Sequence, residues 1–277
     1  MTGIVRGLGA EEVRIRGLTT PQEMQGCVEL QSAVWGYADG DVIPRRMFLV
    51  AERIGGQVLG AFDGERMVGF AMSLPGFRDG MAYLHSHMLA VLPEYRNAGL
   101  GRRLKLAQRE DAMTRGFALM EWTFDPLEIK NAHLNLARLG AIVRRYHPDF
   151  YGPSTSPLQG GLPTDRLYAE WWLRSEHVRA RVEGRTHETG DEIEERVQVP
   201  AAIYEWKADA TTRGLALEAQ TRTREALQRA FGRGLVAIGY ERDESGNGSY
   251  LLGRANWVRR GAGEDKSGAP PAEESAS

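Results

Sequence analysis

The sequence predicts a mixed α/β (α+β) chain, a sheet flanked by helices, and three observations carry that reading. Short apolar runs with a period of two alternate with longer stretches whose apolar residues recur every three or four positions. Asp63-Gly64 sits between two apolar runs, the strongest short-range signal for a hairpin and hence for antiparallel pairing. An apolar strand over residues 81–91 feeds a turn with two glycines, Gly99 and Gly101, that opens a helix.

In chain order, Val13-Arg-Ile-Arg-Gly-Leu18 alternates apolar and charged side chains and predicts a half-buried strand. Thr20-Pro21 is a helix start, and Met24, Cys27, Val28, Leu30, Val34 and Trp35 supply the apolar face of the helix that follows. Cys27 on that face reads as a small buried hydrophobe, since no base or activating charge accompanies it. A second short helix is expected over 44–54, then strands over 58–62 and 67–74, a loop over 75–80, and the long strand 81–91. A helix runs from Gly101 to about Arg115 and ends at Gly116. A fifth strand spans Phe117 to Phe124, and a helix spans Leu127 to Leu139 with Gly140 at its end. Two closing strands follow, at Val143-Arg-Arg-Tyr-His147 and Tyr168-Ala-Glu-Trp-Trp-Leu173. Beyond residue 175 the composition changes. A charged stretch precedes Val197-Gln-Val-Pro-Ala201, a helix is expected over about 208–231, and Leu235–Tyr240 with Ser249–Leu252 reads as a hairpin. From Gly261 the sequence is Gly, Ala, Pro, Ser and acidic residues, the composition of a disordered tail. There is no internal repeat.

Composition limits the function classes. In 277 residues, 42% hydrophobic and 26% charged is ordinary for a globular protein, and a net charge of −2 provides no global basic field for nucleic acid. One cysteine excludes an internal disulfide and a Cys-based zinc cluster and suits a reducing compartment. The N-terminal residues lack the apolar core of a signal peptide, and no stretch approaches the about 18 apolar residues of a membrane span. The expectation is a cytoplasmic protein with neither membrane nor nucleic acid as a partner.

The chemistry concentrates at Leu89-Ala-Val-Leu-Pro-Glu-Tyr-Arg-Asn-Ala-Gly-Leu-Gly-Arg-Arg-Leu104. Glycines at 99 and 101 let successive N–H groups converge where a helix begins, which makes an anion cradle. Arg96, Arg102, Arg103 and Lys105 crowd the positive end of the helix dipole, where cations are disfavoured unless something negative sits there. A Walker-type loop requires Gly-Lys-Ser/Thr, whereas Arg102 and Arg103 follow the second glycine. A dinucleotide fingerprint requires a third Gly or Ala where Leu104 stands. The alternative without function is a glycine-containing turn with a solvated basic face.

Arg-x-x-Gly-x-Gly after a Val-x-Pro-Glu-Tyr strand exit resembles the coenzyme A pyrophosphate loop of the GNAT (GCN5-related N-acetyltransferase) superfamily, and the element order over residues 10–175 is similar to the GNAT fold. The resemblance implies a mixed, mostly antiparallel central sheet flanked by helices, followed by a helix-hairpin extension over 176–260 and the tail over 261–277. It implies acetyl-CoA or another acyl-CoA as co-substrate, no metal, and a small-molecule amine as acceptor; a homodimer is compatible with it. Coenzyme A would be held by Leu89, Ala90 and Val91 along the strand, by Arg96, Asn97, Ala98, Gly99, Leu100, Gly101 and Arg102 in the turn, and by Asn131 in the following helix.

Direct attack on a thioester needs a neutral amine and so a base near the working pH. Strand alternation puts His85, His87, Leu89 and Val91 on one face unless a bulge changes the phase. His85 falls where several GNAT enzymes keep a glutamate base; His87 is the alternative, and a zinc site from the pair lacks a third ligand nearby. The family's usual tyrosine acid falls at Leu136, which leaves Tyr146, Tyr151 or water for that role. Trp122-Thr-Phe-Asp-Pro126, Asn131-Ala-x-x-Asn135, Tyr151-Gly152, Thr164-Asp-Arg166 and Trp171-Trp172-Leu173 resemble a full-length GNAT branch associated with N-acylamino acid racemases. That implies a free amino acid as acceptor and Arg144, Arg145 or Arg166 as a carboxylate partner, against the plainer reading of a surface pair such as Asp165 with Arg166. Two rival readings are a GNAT-shaped module that binds coenzyme A without catalysis and a nucleotide-dependent enzyme using the same turn.

Overall fold

The computed structural model describes residues 13–36, 41–153, 159–185 and 192–255; the tail expected over 261–277 lies outside the described residues. The elements are β1 (Arg14–Gly17), α1 (Pro21–Trp35), α2 (Arg45–Arg53), β2 (Gln57–Asp63), β3 (Arg66–Arg78), β4 (Met81–Val91), α3 (Leu100–Thr114), β5 (Leu119–Phe124), α4 (Ile129–Ala132), β6 (Ile142–His147), β7 (Arg166–Trp172), α5 (Glu176–Val182), β8 (Glu195–Val199), α6 (Ile203–Ala208), α7 (Arg213–Gly232), β9 (Val236–Arg242) and β10 (Gly248–Gly253). A 3-10 turn over Pro93–Tyr95 leads into the glycine turn, and α4 runs on into a π-helix over His133–Arg138.

The strands form one sheet in the order β1-β2-β3-β4-β5-β7-β6-β9-β10-β8. All described pairs are antiparallel except β4 with β5, which is parallel. The observed fold is thus the mixed, mostly antiparallel sheet with flanking helices that the resemblance implied. Thr20 caps α1 as expected, and Glu23 makes the cap reciprocal: the Thr20 hydroxyl accepts from the Glu23 N–H while the Glu23 carboxylate accepts from the Thr20 N–H. Cys27 is fully buried, and burial pushes its thiol up to about 12, in keeping with a packing role.

Three local expectations differ from the structure. β3 continues through Pro75 and Gly76 to Arg78, where a loop was expected. The extension is possible because β2 ends at the Gln57–Ser73 pair, so the far side of β3 is an edge and the missing N–H of Pro75 breaks no ladder. The charged stretch after residue 175 contains α5, capped by the Ser175 hydroxyl and anchored by buried His177, Val178 and Ala180. The helix expected over about 208–231 begins later, as α7 at Arg213, because Asp209 accepts from the N–H and hydroxyl of Thr211 and forms a turn, and the short α6 that precedes this turn was not expected.

Helices cover both faces of the first half of the sheet. Phe70 of β3 meets Phe48 of α2 and Trp35 of α1, with ring centroids 5.6 and 6.3 Å away. A Cβ on the neighbouring Gly69 would lie 3.4 Å from Leu104 of α3. Consecutive strand residues face opposite ways, so α1 and α2 lie on one face and α3 on the other. Leu84, Trp122, Leu136 and Trp171 belong to one apolar cluster with Val197, Leu227 and Tyr250, so the C-terminal strands and α7 share the core with β4 to β7.

The strongest polar tie between these regions is at Asp165, which is fully buried. It accepts two hydrogen bonds from Arg224 of α7, both at 2.8 Å, one from Tyr146 at 2.5 Å and one from the Asp149 N–H at 3.0 Å. Removing one partner of a buried ion pair leaves a charge with inadequate compensation. We expect Arg224→Met to lower the unfolding free energy by about 3 kcal/mol in urea titrations near neutral pH, and Asp165→Asn in the same background to restore part of that loss; an Arg224→Met protein as stable as wild type would contradict the role given to this pair.

Candidate active site

The site begins where two strands part. β4 and β5 pair only at Leu84–Met120 and His85–Glu121, so beyond His85 this edge of β4 has no partner in β5. Across β3, Met72 pairs with Met88 and Ser73 with Ser86, leaving His87 as the extra residue of a β-bulge. The bulge changes the phase of the strand. Ser86 faces α3, where it bonds Lys105 and Gln108, and Leu89 also faces α3, with its Cδ2 3.7 Å from where a Gly101 Cβ would stand. His85 lies on the opposite face against Tyr168, ring centroids 6.4 Å apart. The expectation of His85, Leu89 and Val91 on one face is therefore corrected by the bulge it had allowed for.

The glycine turn has the backbone form of a cradle. Asn97 and Gly99 both have positive φ, 62° and 80°, and Gly99 at the helix entry carries no side-chain cap. The first helical bond of α3 is Arg103 N–H to Gly99 O, so the N–H groups of Leu100, Gly101 and Arg102 have no acceptor within the helix. The basic side chains are deployed less simply than the sequence suggested. Arg96 donates to Val91 O at 3.1 Å, Arg102 to Val182 O at 2.6 Å, and Arg103 to Val13 O at 2.5 Å. Arg102 and Arg103 thus tie the helix start to α5 and to the residue preceding β1.

Between the parted strands lies a cavity of about 500 Å³. Ser86 to Leu89 form one wall and Trp122 to Phe124 the other; Lys105, Asn131, Leu134 and Asn135 close it on the α3 and α4 side, and Trp35, Asp41 and Ile43 on the α1 and α2 side. Tyr151, Thr164 and Arg166 complete the rim. Elements from both faces of the sheet therefore border one space through the gap.

Of the four candidate catalytic residues, His87 and Tyr151 line this cavity. His85 sits behind His87, ring centroids 6.0 Å apart. Burial, with repulsion from His87 and Lys105, lowers the His85 pKa to about 4, and burial also lowers that of His87. The Tyr151 hydroxyl is 2.9 Å from Thr123 Oγ1. Tyr146 is engaged elsewhere, donating to buried Asp165, and burial with that bond holds its hydroxyl firmly protonated. Leu136 is fully buried in the core, and Asn131 lies on the cavity wall as expected of a ligand contact. Arg166 borders the cavity with its guanidinium 5.2 Å from the Tyr151 ring. Arg144 and Arg145 are bound to buried Glu170 and Glu121 at 2.7 Å each. The plain pairing of Asp165 with Arg166 does not form, because Asp165 is taken by Arg224 and Arg166 donates to its backbone oxygen.

Two participants differ from the sequence reading, which counted Lys105 among the cations of the glycine turn and did not single out Glu121. Lys105 is 5% exposed and projects from α3 into the cavity, its Nζ 2.8 Å from Ser86 Oγ and 3.7 Å from the centre of the Trp122 ring. The signal was present, since Lys105 falls four residues after Gly101 and three before Gln108, within the stripe that α3 buries. Glu121, fully buried at the last paired position of β5, is held by Arg78 and Arg145; a lone Glu inside an apolar strand was its trace.

Residues 25–140 match the family model described as the Acetyltransferase (GNAT) family, a stretch that runs from within α1 to just past the π-helix. The chain is similar in structure to the ribosomal-protein-S18-alanine N-acetyltransferase from Escherichia coli, at 16% identity and a TM-score of 0.47 over 59% of this chain and 95% of that one. It is similar to an aminoglycoside 6'-acetyltransferase type Ii at 17% identity and a TM-score of 0.46, over 59% of this chain and 99% of that one. A GNAT family acetyltransferase from Elizabethkingia anophelis with acetyl-CoA bound aligns at 12% identity and a TM-score of 0.44, over 58% of this chain and 99% of that one. No match was found among the curated proteins. Among the described residues, no group of three or more His, Cys, Asp or Glu is placed to hold a metal ion, and no helix is long and apolar enough to cross a membrane.

The His85 environment makes a measurable prediction. Its pKa is about 4 in the folded chain and about 6.5 when unfolded, so between these values the unfolded chain binds more protons and stability rises with pH. The penalty is absent above about pH 6.5 and complete below about pH 4, on the order of 3 kcal/mol. We expect His85→Gln to flatten the rise of unfolding free energy across that window, measured by denaturant titration at a series of pH values; a variant with an unchanged slope would show the ring to be ordinarily solvated.

Proposed function

We propose that the chain is an acyl-CoA-dependent N-acyltransferase that moves an acetyl or succinyl group to the amine of a small molecule, a free amino acid being the class favoured, by direct attack in a ternary complex. The single observation that carries this reading is the gap between β4 and β5, with an uncapped helix start and its glycine turn at one end and a polar, two-sided cavity along it. The residues present suit the group. The N–H groups of Leu100, Gly101 and Arg102 converge with the dipole of α3 on a site for a diphosphate. A Cβ on Gly99 would be strained at its positive φ, and a side chain at Gly101 would grow toward Leu89 and the cavity mouth. Leu89, Ala90 and Val91 lie where β4 lacks a partner in β5 and offer backbone groups to the amides of a pantetheine arm, with Asn131 across the gap.

Acyl-coenzyme A supplies a thioester carbonyl, and the other requirements fall to this chain. A β4 N–H in the gap is a fixed donor to the oxygen that gains charge, a contribution worth about 3 kcal/mol in acyl transfer. His87 is the base in contact with the cavity and accepts the proton of the acceptor amine; His85, kept neutral by burial, lies directly behind it. Arg166 at the rim supplies a guanidinium for an acceptor carboxylate, as a free amino acid requires. Leu136 in place of a tyrosine favours a second reading, a module that binds coenzyme A without turnover.

Two measurements test the proposal. Acetyl-CoA or succinyl-CoA should raise the melting midpoint of wild type, and Gly101→Glu should weaken that binding at least about tenfold by placing bulk and negative charge at the cradle; stabilisation by ATP or NAD and not by coenzyme A would overturn the assignment. Thiol release screened against amino acids and other small amines should be turned over by wild type, whereas binding without release for any acceptor would support the second reading.

A further inference from the structure

We propose that Lys105 is the acid that hands a proton to the departing thiol of the acyl donor. The inference rests on the acyltransferase reading above and adds a catalytic residue to it. A thiol in water titrates near about 8.5, so a thiolate leaving between two strands, where few waters reach it, is a poor leaving group unless a proton or a positive charge meets it. Tyr146 is bound to Asp165 and Leu136 is apolar, so neither supplies that proton, and Tyr151 stands at the rim with its hydroxyl against Thr123 Oγ1.

Lys105 has the geometry for it. Its Nζ is buried, lines the cavity, and is held at two points: the Ser86 oxygen at 2.8 Å and the face of Trp122 at 3.7 Å. The Ser86 hydroxyl gives its own proton to Gln108 Oε1 at 2.9 Å, so toward Lys105 it is an acceptor and orients a protonated amine. The ring face also favours the ammonium. Among the described residues no carboxylate pairs with Nζ. The charged and titratable groups around it are His85 and His87 from β4, Asp41 preceding α2, and Tyr151 and Arg166 at the rim; Glu121 of β5 faces the other side of the sheet. Burial drives the Lys105 pKa well below its usual range, so its ammonium gives up a proton more readily than that of a surface lysine.

The arrangement also places acid and base on opposite sides of the reacting centre. His85 and His87 approach from the sheet face bearing Tyr168, and Lys105 from the α3 face. As the acceptor nitrogen bonds to the acyl carbon, the carbon–sulfur bond breaks and its electron pair stays on sulfur. Lys105 Nζ gives one proton to that sulfur, producing free thiol and a neutral lysine amine. The proton lost by the acceptor nitrogen passes to His87, and Lys105 regains its own from solvent once the cavity empties.

The test needs no knowledge of the acceptor. Coenzyme A bound to wild type, to Lys105→Met and to Lys105→Gln is titrated with pH, following the ultraviolet absorbance of its thiolate against a desulfo-coenzyme A control. A cation within a few ångströms lowers an acid's pKa by about 1–3 units. In wild type the bound thiol should therefore titrate at least about one unit below free coenzyme A. Either variant should return it to the free value with coenzyme A affinity changed by less than about threefold, as for loss of a contact worth little to ground-state binding. A structural role for Lys105 would leave the thiol titration unmoved. A wild-type thiol that titrates as in free solution overturns the inference alone, whichever variants fold. Failure of coenzyme A to bind wild type would overturn the acyltransferase reading with it.

Discussion

The parting of β4 from β5 beyond the His85–Glu121 pair is the constraint on which the rest of the structure depends. Backbone groups along a strand interior are normally paired, and giving up a ladder inside a sheet is costly unless something holds the edges apart and something else satisfies them. The hinge of the gap is a carboxylate clamp. Glu121 takes Arg78 and Arg145, and its cross-strand neighbour Glu170 takes Arg144. Two buried carboxylates shared among three guanidinia fix β3, β5, β6 and β7 together at the last point where β4 and β5 still pair, so the strands diverge from a rigid corner. The bulge at His87 then turns β4 further from its neighbour, and the π-helix after α4 leaves Asn135 and Leu134 on the cavity wall.

The C-terminal region braces the same site from outside. Lys207 of α6 binds Asp125 and Glu128, at the end of β5 and the start of α4, with bonds of 3.0 and 3.1 Å. Tyr250 of β10 donates to Pro126 O, Gln220 of α7 donates to Pro163 O, and Arg224 binds Asp165. Each of these contacts lands on a connection that carries a cavity residue: the turn between β5 and α4, which leads from Phe124 to Asn131, or the segment holding Thr164 and Arg166. The extension behaves as a scaffold for these connections, the second of which has a sequence rich in Pro and Gly that does little to fix its shape.

Much of the fold was legible because its signals are local. The helix start at Thr20, the Asp63-Gly64 hairpin, the two-glycine turn and the alternation in β1 each depend on residues within a few positions of one another. The departures share a different character. Whether His85 and Leu89 share a face depends on a bulge whose sole signature is a skipped partner on β3, and the course of β3 through Pro75 depends on where β2 stops. Arg102 and Arg103 read as cations for an anion at the turn and Arg144 and Arg145 as candidate carboxylate partners of an acceptor, yet the partners found are carbonyls and carboxylates of the chain itself, 24 to 90 residues away in sequence. Long-range partners of this kind leave no mark in spacing.

Lys105 joins these two kinds of information. Its position on the buried stripe of α3 follows from helical periodicity, but only the fold shows that the stripe passes under a gap and not under a continuous sheet. Beneath paired strands a buried lysine would have to be neutralised by a carboxylate or be expelled toward solvent. Beneath the gap it meets a hydroxyl already committed as an acceptor and an aromatic face, contacts that tolerate both the charged and the neutral amine. The parting of the strands therefore does two things at once: it exposes backbone groups of β4 along one side of the cavity, and it gives a titratable nitrogen of α3 access to the same space from below. The single skipped residue in β4 has its own consequence: without the bulge at His87 the residues before and after it, Ser86 and Met88, would project to the same side, whereas Ser86 now faces Lys105 and Met88 the opposite core.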